Sequence, residues 1–182
     1  MKPYLKFLVF IVAAMLFVPV FAFVAYDAFV VAPRVGDLRT ILSNADPLDR
    51  SPPANIRLYI HALHSKGASP SEVIAMRLHS RFLQRSGVFR SHIEQFLWGR
   101  LISLHLSEDE VLALYSTLAY NGEGTGLNAL SRRMFAKPLS DLDDREAATL
   151  VAYTRAPCVY ARDPASLSAR RDRLISDARS GL

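Results

Sequence analysis

One cysteine among 182 residues, Cys158, excludes an intramolecular disulfide framework and leaves the fold to be held by its core. That thiol, beside a turn signal, is read as a small apolar filler. Repeats and low-complexity tracts are absent, so a stacked array of repeats is excluded. The five histidines (His61, His64, His79, His92 and His105) show neither metal-ligand spacing nor an associated carboxylate pattern, and no protein-built metal site is expected. Charge is missing altogether from Phe7 to Tyr26, a run too apolar for the surface of a soluble domain.

Twenty residues of helix rise about 30 Å, the hydrocarbon thickness of a bilayer, so this run is read as one transmembrane anchor over residues 7–31. Lys2 and Lys6 precede it and place residues 1–6 in the cytoplasm and the remainder outside, although Arg34 and Arg39 follow closely. A cleaved signal peptide is the rival reading. Its apolar core would span roughly 7–15 residues and end in small side chains, whereas this run is longer and meets Phe21, Phe23 and Tyr26. Residues 32–52 are expected as a neck with a short helix near Asp37 to Ser43, and residues 53–182 as one domain of ordinary size. The net charge of +5, mostly arginine, suits an anionic partner such as a phospholipid surface or a diphosphate. No nucleic-acid partner is expected.

Helical periodicity runs through the whole soluble part, which makes the fold class all-α. Ile56, Tyr59, Ile60 and Leu63 share one face of a helix from Asn55 to His64. Ser69, Pro70 and Glu72 start another, with Ile74, Leu78 and Phe82 inward and Gly87 as its stop. Phe89 to Leu104 carries Ile93, Phe96, Leu97 and Leu101 and is expected at the centre of the core. Asp163 and Pro164 open a last helix through Leu167, Leu174 and Ile175.

The stretch from Leu106 to Pro164 is the one the rest is arranged to present. Ser107 with Glu110 is a capping box ahead of Val111, Leu112, Leu114, Tyr115 and Leu118. The run Asn121-Gly122-Glu123-Gly124-Thr125-Gly126 supplies three glycines that tolerate positive φ, suited to a sharp turn or a close approach. Leu127, Leu130 and Met134 line one face of the next helix, Arg132 and Arg133 project off the other side, and Phe135-Ala136-Lys137-Pro138 ends it. Asp143 with Glu146 opens a third helix whose buried face is Ala147, Ala148, Leu150 and Val151.

The order of these residues resembles the transglycosylase domain of glycosyltransferase family 51, found in bifunctional penicillin-binding proteins and in monofunctional peptidoglycan glycosyltransferases. In that family an acidic helix leads into a glycine-rich turn. A small-residue helix follows, closing on Tyr-Phe-Gly-Lys, then Asp-Leu, a Glu-Ala-Ala-Leu-Leu helix and Ala-Pro. Here the corresponding places are Glu110 and Tyr115, Gly122 to Gly126, Met134-Phe135-Ala136-Lys137, Asp141-Leu142, Glu146 to Leu150, and Ala156-Pro157. The resemblance covers about Pro53 to Leu174 and implies a lysozyme-like helical fold, shortened at the donor-site end.

The resemblance also implies a chemistry, the polymerisation of a lipid-linked disaccharide-peptide precursor, which needs a carboxylate base and positive charge for a leaving diphosphate. The family's Glu-Asp-x-x-Phe-x-x-His motif carries the glutamate taken as general base, and this chain has His64 and Ser65 at that place. The family's Gly-Gly-Ser-Thr-Ile-Thr-Gln-Gln stretch falls near Glu72 to Leu78, where those polar groups are missing. The Arg-Lys-x-x-Glu motif keeps Arg90 and Glu94, which alone would read as a helix-surface ion pair. At the family's lysine ahead of the acidic helix stands Glu108, of opposite charge.

Glu94 is therefore the surviving carboxylate and His64 occupies the lost base position, where a surface histidine at a helix end is the bland alternative. Arg90, Tyr115, Gly122, Gly124, Gly126, Arg132 and Arg133 are the substrate-binding candidates. The family often uses a divalent ion that accompanies the substrate diphosphate, and the protein itself builds no cofactor site. The partners implied are the lipid bilayer, a lipid-linked peptidoglycan precursor or glycan strand, and cell-wall synthesis proteins. The location implied is the bacterial inner membrane, single-pass, with the C-terminal domain outside the cytoplasm. Activity is expected to be reduced or lost. The alternative is a non-catalytic, membrane-anchored scaffold that binds glycan or a protein partner.

Overall fold

A computed structural model describes residues 3–82 and 88–181. Gly87, expected to stop a helix, lies outside the described residues. Eleven α-helices follow one another among the described residues: α1 Pro3–Tyr26, α2 Val35–Ser43, α3 Pro47–Arg50, α4 Ala54–His64, α5 Pro70–Phe82, α6 Val88–His105, α7 Glu108–Leu118, α8 Leu127–Phe135, α9 Asp144–Tyr153, α10 Pro157–Tyr160 and α11 Pro164–Ser180. They contain no strand, and the one β-like contact among them is an isolated bridge between Tyr120 and Thr125. The all-α architecture expected from periodicity is the one observed.

Local signals placed these helices where they stand. Ser107 and Glu110 close a reciprocal capping box at the start of α7, as do Asp143 and Glu146 at the start of α9, so two orphan amides are satisfied at each. Ser69 and Glu72 do the same for α5, at 3.3 and 3.0 Å. Asp163 caps α11 through the Ser166 amide, with Pro164 in the first turn.

Residues 32–52, expected as a neck, are helical and packed onto the domain. Val31 and Leu38 are fully buried and Leu42 nearly so, and α2 and α3 both lie against α7. A single turn of π-helix, Asp27–Val31, joins α1 to this packed segment. There Asp27 Oδ1 meets His105 Nε2 at the end of α6, at 2.7 Å. Before that joint, Phe10, Phe17 and Phe21 are at least 70% exposed, and the run Phe10–Ser43 is long and apolar enough to cross a membrane by length and composition.

The core is built from α4, α5, α7, α9 and α11, with Ile56, Ile60, Ile74, Leu114, Leu150 and Leu174 among its buried members. Helix α6 enters it differently from the expected arrangement. Ile93 and Phe96, expected inward, are 45% and 56% exposed, while Trp98, Leu101 and Ile102 are buried, and so is Glu94. The buried set 94, 98, 101, 102 is a helical stripe in its own right. Apolar residues lie all around α6, so spacing alone does not select a face, and packing against α5 does. Gly99 permits that contact, since a Cβ there would stand 2.7 Å from Glu72 Cγ. Cys158 also departs from expectation: it is exposed on α10 and is not a core filler.

Candidate functional site

The glycine turn is fastened from a residue far upstream. Asp49 in α3, only 4% exposed, accepts three hydrogen bonds at Oδ1: from Ser116 Oγ at 2.6 Å and from the Leu127 and Asn128 amides at 3.0 Å each. The last two are orphan donors at the N-terminus of α8, so a carboxylate from another helix caps it and meets the positive end of its dipole. Burial pushes the Asp49 carboxyl above its ordinary value, opposed by those same hydrogen bonds. Gly126 makes room for it. Its φ is +103° and a Cβ there would lie 3.0 Å from Asp49 Oδ2, so a side chain would be both strained and crowded. Gly122 has φ +98°, whereas Gly124 takes no positive φ, so two of the three glycines expected to need that freedom use it.

Asn121 organises the inside of the turn. It is 4% exposed, its Oδ1 accepts from the Glu123 and Gly124 amides at 3.1 and 2.8 Å, and its Nδ2 donates to the Gly126 carbonyl. Arg133 donates to the Asn121 carbonyl oxygen and pairs with Glu123 at 2.9 Å. Its guanidinium is thus engaged in holding the turn, while Arg132 is exposed on α8. Next to Arg133 a cavity of about 290 Å³ is lined by Gly122, Glu123, Tyr153, Pro157 and Arg162.

Below the turn, Tyr115 is the centre of a buried polar chain. Its ring is 1% exposed. His64 Nε2 lies 3.1 Å from its hydroxyl and Thr154 Oγ1 lies 3.5 Å from the same atom. The other ring nitrogen of His64 sits 2.6 Å from the Ala68 carbonyl, which fixes Nδ1 as the protonated one and leaves Nε2 to accept from Tyr115. The imidazole meets the Tyr115 ring edge-on with centroids 5.2 Å apart. His64 is therefore 9% exposed and packed, not the surface histidine of the bland reading. The guanidinium of Arg77 lies over the ring, 5.0 Å from its centroid, and reaches the Tyr115 carbonyl at 3.5 Å.

Burial holds the His64 imidazole below its ordinary value, and the nearby Arg155 and Arg77 act in the same direction. The native state thus resists a proton that the unfolded chain accepts near pH 6.5. Stability from this group is fully present above about pH 6.5 and is lost as pH falls below it, until the native imidazole itself protonates. The unfolding free energy is expected to decline between about pH 6.5 and pH 5 in the wild type and to be flatter in His64→Gln. Equal slopes in urea titrations of the two proteins would contradict this.

The remaining candidates are placed as follows. Glu94 is 6% exposed, on the inward face of α6. Arg90 lies in the first turn of the same helix, and its side chain, with the Arg90–Glu94 pair, lies outside the described residues. Glu108 lies 3.4 Å from His61 at the exposed start of α7, where Asp109 also pairs with Arg57 and Glu110 with Arg39. His64 and Tyr115 are thus in contact, and Tyr115 leads through α7 into the glycine turn. Among the described residues no three His, Cys, Asp or Glu side chains gather as a metal-ligand set.

Asp49, Asn121 and Arg77 carry much of this arrangement and were not among the residues singled out from the sequence. Asp49 sits in what reads as a neck. Arg77 falls in a stretch notable only for the polar groups it lacks, and Asn121 reads in the sequence as one residue of a turn. Of these, the Asn-Gly pair at 121–122 was the one legible signal, since asparagine side chains bond to amides two residues on.

Comparison with known proteins agrees with this architecture. Penicillin-binding protein 1A of Clostridium perfringens (strain 13 / Type A) is 42% identical over 57 residues, which is 31% of this chain and 8% of that protein. Penicillin-binding protein 1A of a second strain of that species shows the same identity over 57 residues, 7% of its length. The match therefore spans less than a tenth of either relative. The family described as transglycosylase matches residues 55–179, from the first turn of α4 to the last turn of α11. With more than half of its length covered by that match, the chain belongs to the transglycosylase family.

Proposed function

We propose that this is a peptidoglycan glycosyltransferase-like protein of the cell envelope that takes the lipid-linked disaccharide-peptide precursor, with catalysis reduced or lost. The observation that carries the second half is the state of His64. A general base needs a free lone pair within reach of the acceptor hydroxyl, and both nitrogens of His64 are engaged, one by Ala68 and one by Tyr115. Glu94 then remains as the carboxylate for the reaction, with Arg90 and Arg132 toward the diphosphate and the glycine turn, held by Arg133, bordering the glycan. A divalent ion would arrive with the diphosphate. The apolar run beginning at Phe10 supports anchoring in the inner membrane, with Lys2 and Lys6 on the cytoplasmic side and the domain outside.

The second reading, a non-catalytic scaffold that binds a glycan strand or a cell-wall synthesis protein, is favoured by Glu108. It pairs with His61 and presents negative charge at the place of a family lysine. One experiment separates the two. Full-length protein in detergent is given labelled lipid-linked precursor, with and without a divalent ion, beside Glu94→Gln. Slow or absent chain growth with retained precursor is expected, and whatever growth occurs should vanish in Glu94→Gln. Growth indifferent to Glu94→Gln would remove that carboxylate from the chemistry, and failure to retain precursor would remove the substrate class.

A further inference from the structure

The cavity of about 290 Å³ beside the glycine turn is walled by three segments: the turn itself, the end of α9, and α10 with the turn that follows it. A Cβ placed on Gly122 would stand 3.6 Å from the Tyr153 hydroxyl, 3.6 Å from Pro157 Cβ and 3.8 Å from Arg133 Nη2. Those three side chains therefore close on the space that the missing side chain leaves. Two hydrogen-bonding groups in the wall are unused. The Tyr153 hydroxyl has no hydrogen-bond partner among the described residues, and the Arg162 guanidinium has neither a hydrogen bond nor an ion pair among them. Asp163, the next residue in the chain, turns its carboxylate to Ser166 at the start of α11. Arg133, by contrast, is held by the Asn121 carbonyl and by Glu123.

The charge of the cavity selects its ligand. Arg133 and Glu123 cancel, so Arg162 leaves one positive charge on the wall, which matches a monoanion better than a doubly charged phosphate. A guanidinium fork and the oxygen pair of a carboxylate are complementary in one plane. The remaining groups suit an amide. The Tyr153 hydroxyl donates to a carbonyl, the exposed Glu123 carboxylate accepts from an N–H, and Pro157 offers an apolar wall to a small side chain. At roughly 30 Å³ per water, the cavity holds about ten non-hydrogen atoms, the size of two small residues. A carboxylate, amides and small side chains together describe the end of a peptide.

We propose that this cavity receives the C-terminal carboxylate of the peptide carried by the disaccharide-peptide, with Arg162 donating to the carboxylate and Tyr153 and Glu123 meeting the last amide. The assignment rests on the reading above, in which the glycine turn borders the glycan, so that a peptide branching from the glycan reaches the adjoining cavity. It requires neither turnover nor Glu94.

Cys158 lines the same cavity, is exposed, and is the one cysteine of the chain, so its alkylation reports occupancy directly. Full-length protein in neutral detergent is treated with iodoacetamide, an uncharged reagent, while N-acetyl-alanyl-alanine is titrated in L and D forms, as free acid and as C-terminal amide. Saturable slowing of Cys158 alkylation is expected from a free acid and not from its amide. The concentration for half protection should rise roughly tenfold or more in Arg162→Gln, several-fold in Tyr153→Phe, and not at all in Arg39→Gln at the far end of α7. Because the Arg162 side chain is exposed and has no partner among the described residues, its glutamine variant should keep the wild-type unfolding temperature, so that lost protection there is lost binding. Protection by the amide equal to that by the acid, protection unchanged in Arg162→Gln, or no protection by either chirality would overturn the proposal, as would protection by inorganic phosphate alone. Labelled lipid-linked precursor keeps the two readings apart. Retention of precursor without carboxylate-dependent protection leaves the substrate class standing and sinks this site, whereas protection by the free acid without retention of precursor leaves a peptide-carboxylate receptor and sinks the substrate class.

Discussion

Asp49→Ala is expected to lower the unfolding free energy by roughly 2–3 kcal/mol, whereas Asp49→Asn should lose less than half of that. The alanine leaves Ser116 Oγ and the Leu127 and Asn128 amides without their acceptor in a region where all three are buried. An asparagine keeps Oδ1 and with it the three bonds, and it removes a charge whose burial is unfavourable. The two changes therefore separate the hydrogen bonds from the charge. Urea unfolding of the full chain in detergent measures both, and equal losses in the two variants would assign the effect to charge. Because Asp49 anchors the start of α8, the alanine variant should also expose the glycine turn to proteolysis before global unfolding.

Tyr115→Ala should be the most damaging single change in the site, at about 3–5 kcal/mol, because it deletes a fully buried ring against which α4 and α5 both pack. It also strands His64 Nε2 and leaves Arg77 over a void. Tyr115→Phe keeps the volume and removes only the hydroxyl that His64 and Thr154 share, so roughly 1–2 kcal/mol is expected. A phenylalanine variant as unstable as the alanine one would mean that the polar chain, and not the ring, holds this part of the domain. A phenylalanine variant as stable as the wild type would mean that the His64 contact contributes nothing.

These two residues illustrate what could be read in advance. Tyr115 was legible because it lies on the apolar stripe of a helix with a capping box at its start, and capping is a matter of residues three apart in sequence. Asp49 was not, because its partners lie 67 to 79 residues downstream and nothing local marks a carboxylate that will cap a distant helix. His64 looked like a helix-end surface residue because helices commonly end at the surface. Contact with Tyr115, 51 residues away, buries it instead. Ala136 is similar: it takes the left-handed conformation that ends α8, with φ 56°, although its side chain gives no sign of doing so.

By itself the sequence determined the helical class, most helix starts and the apolar run at the N-terminus. Caps, prolines and periodicity act over a few residues and are decided before the chain folds back on itself. It also determined the family, since the order of residues from Leu106 onward is preserved as order. Only the tertiary structure decided which face of α6 turns inward, that residues 32–52 join the core, and that His64 is held between Ala68 and Tyr115. Each of those depends on which surfaces meet, and a helix that is apolar all round, or a polar side chain with a distant partner, carries no local record of that choice.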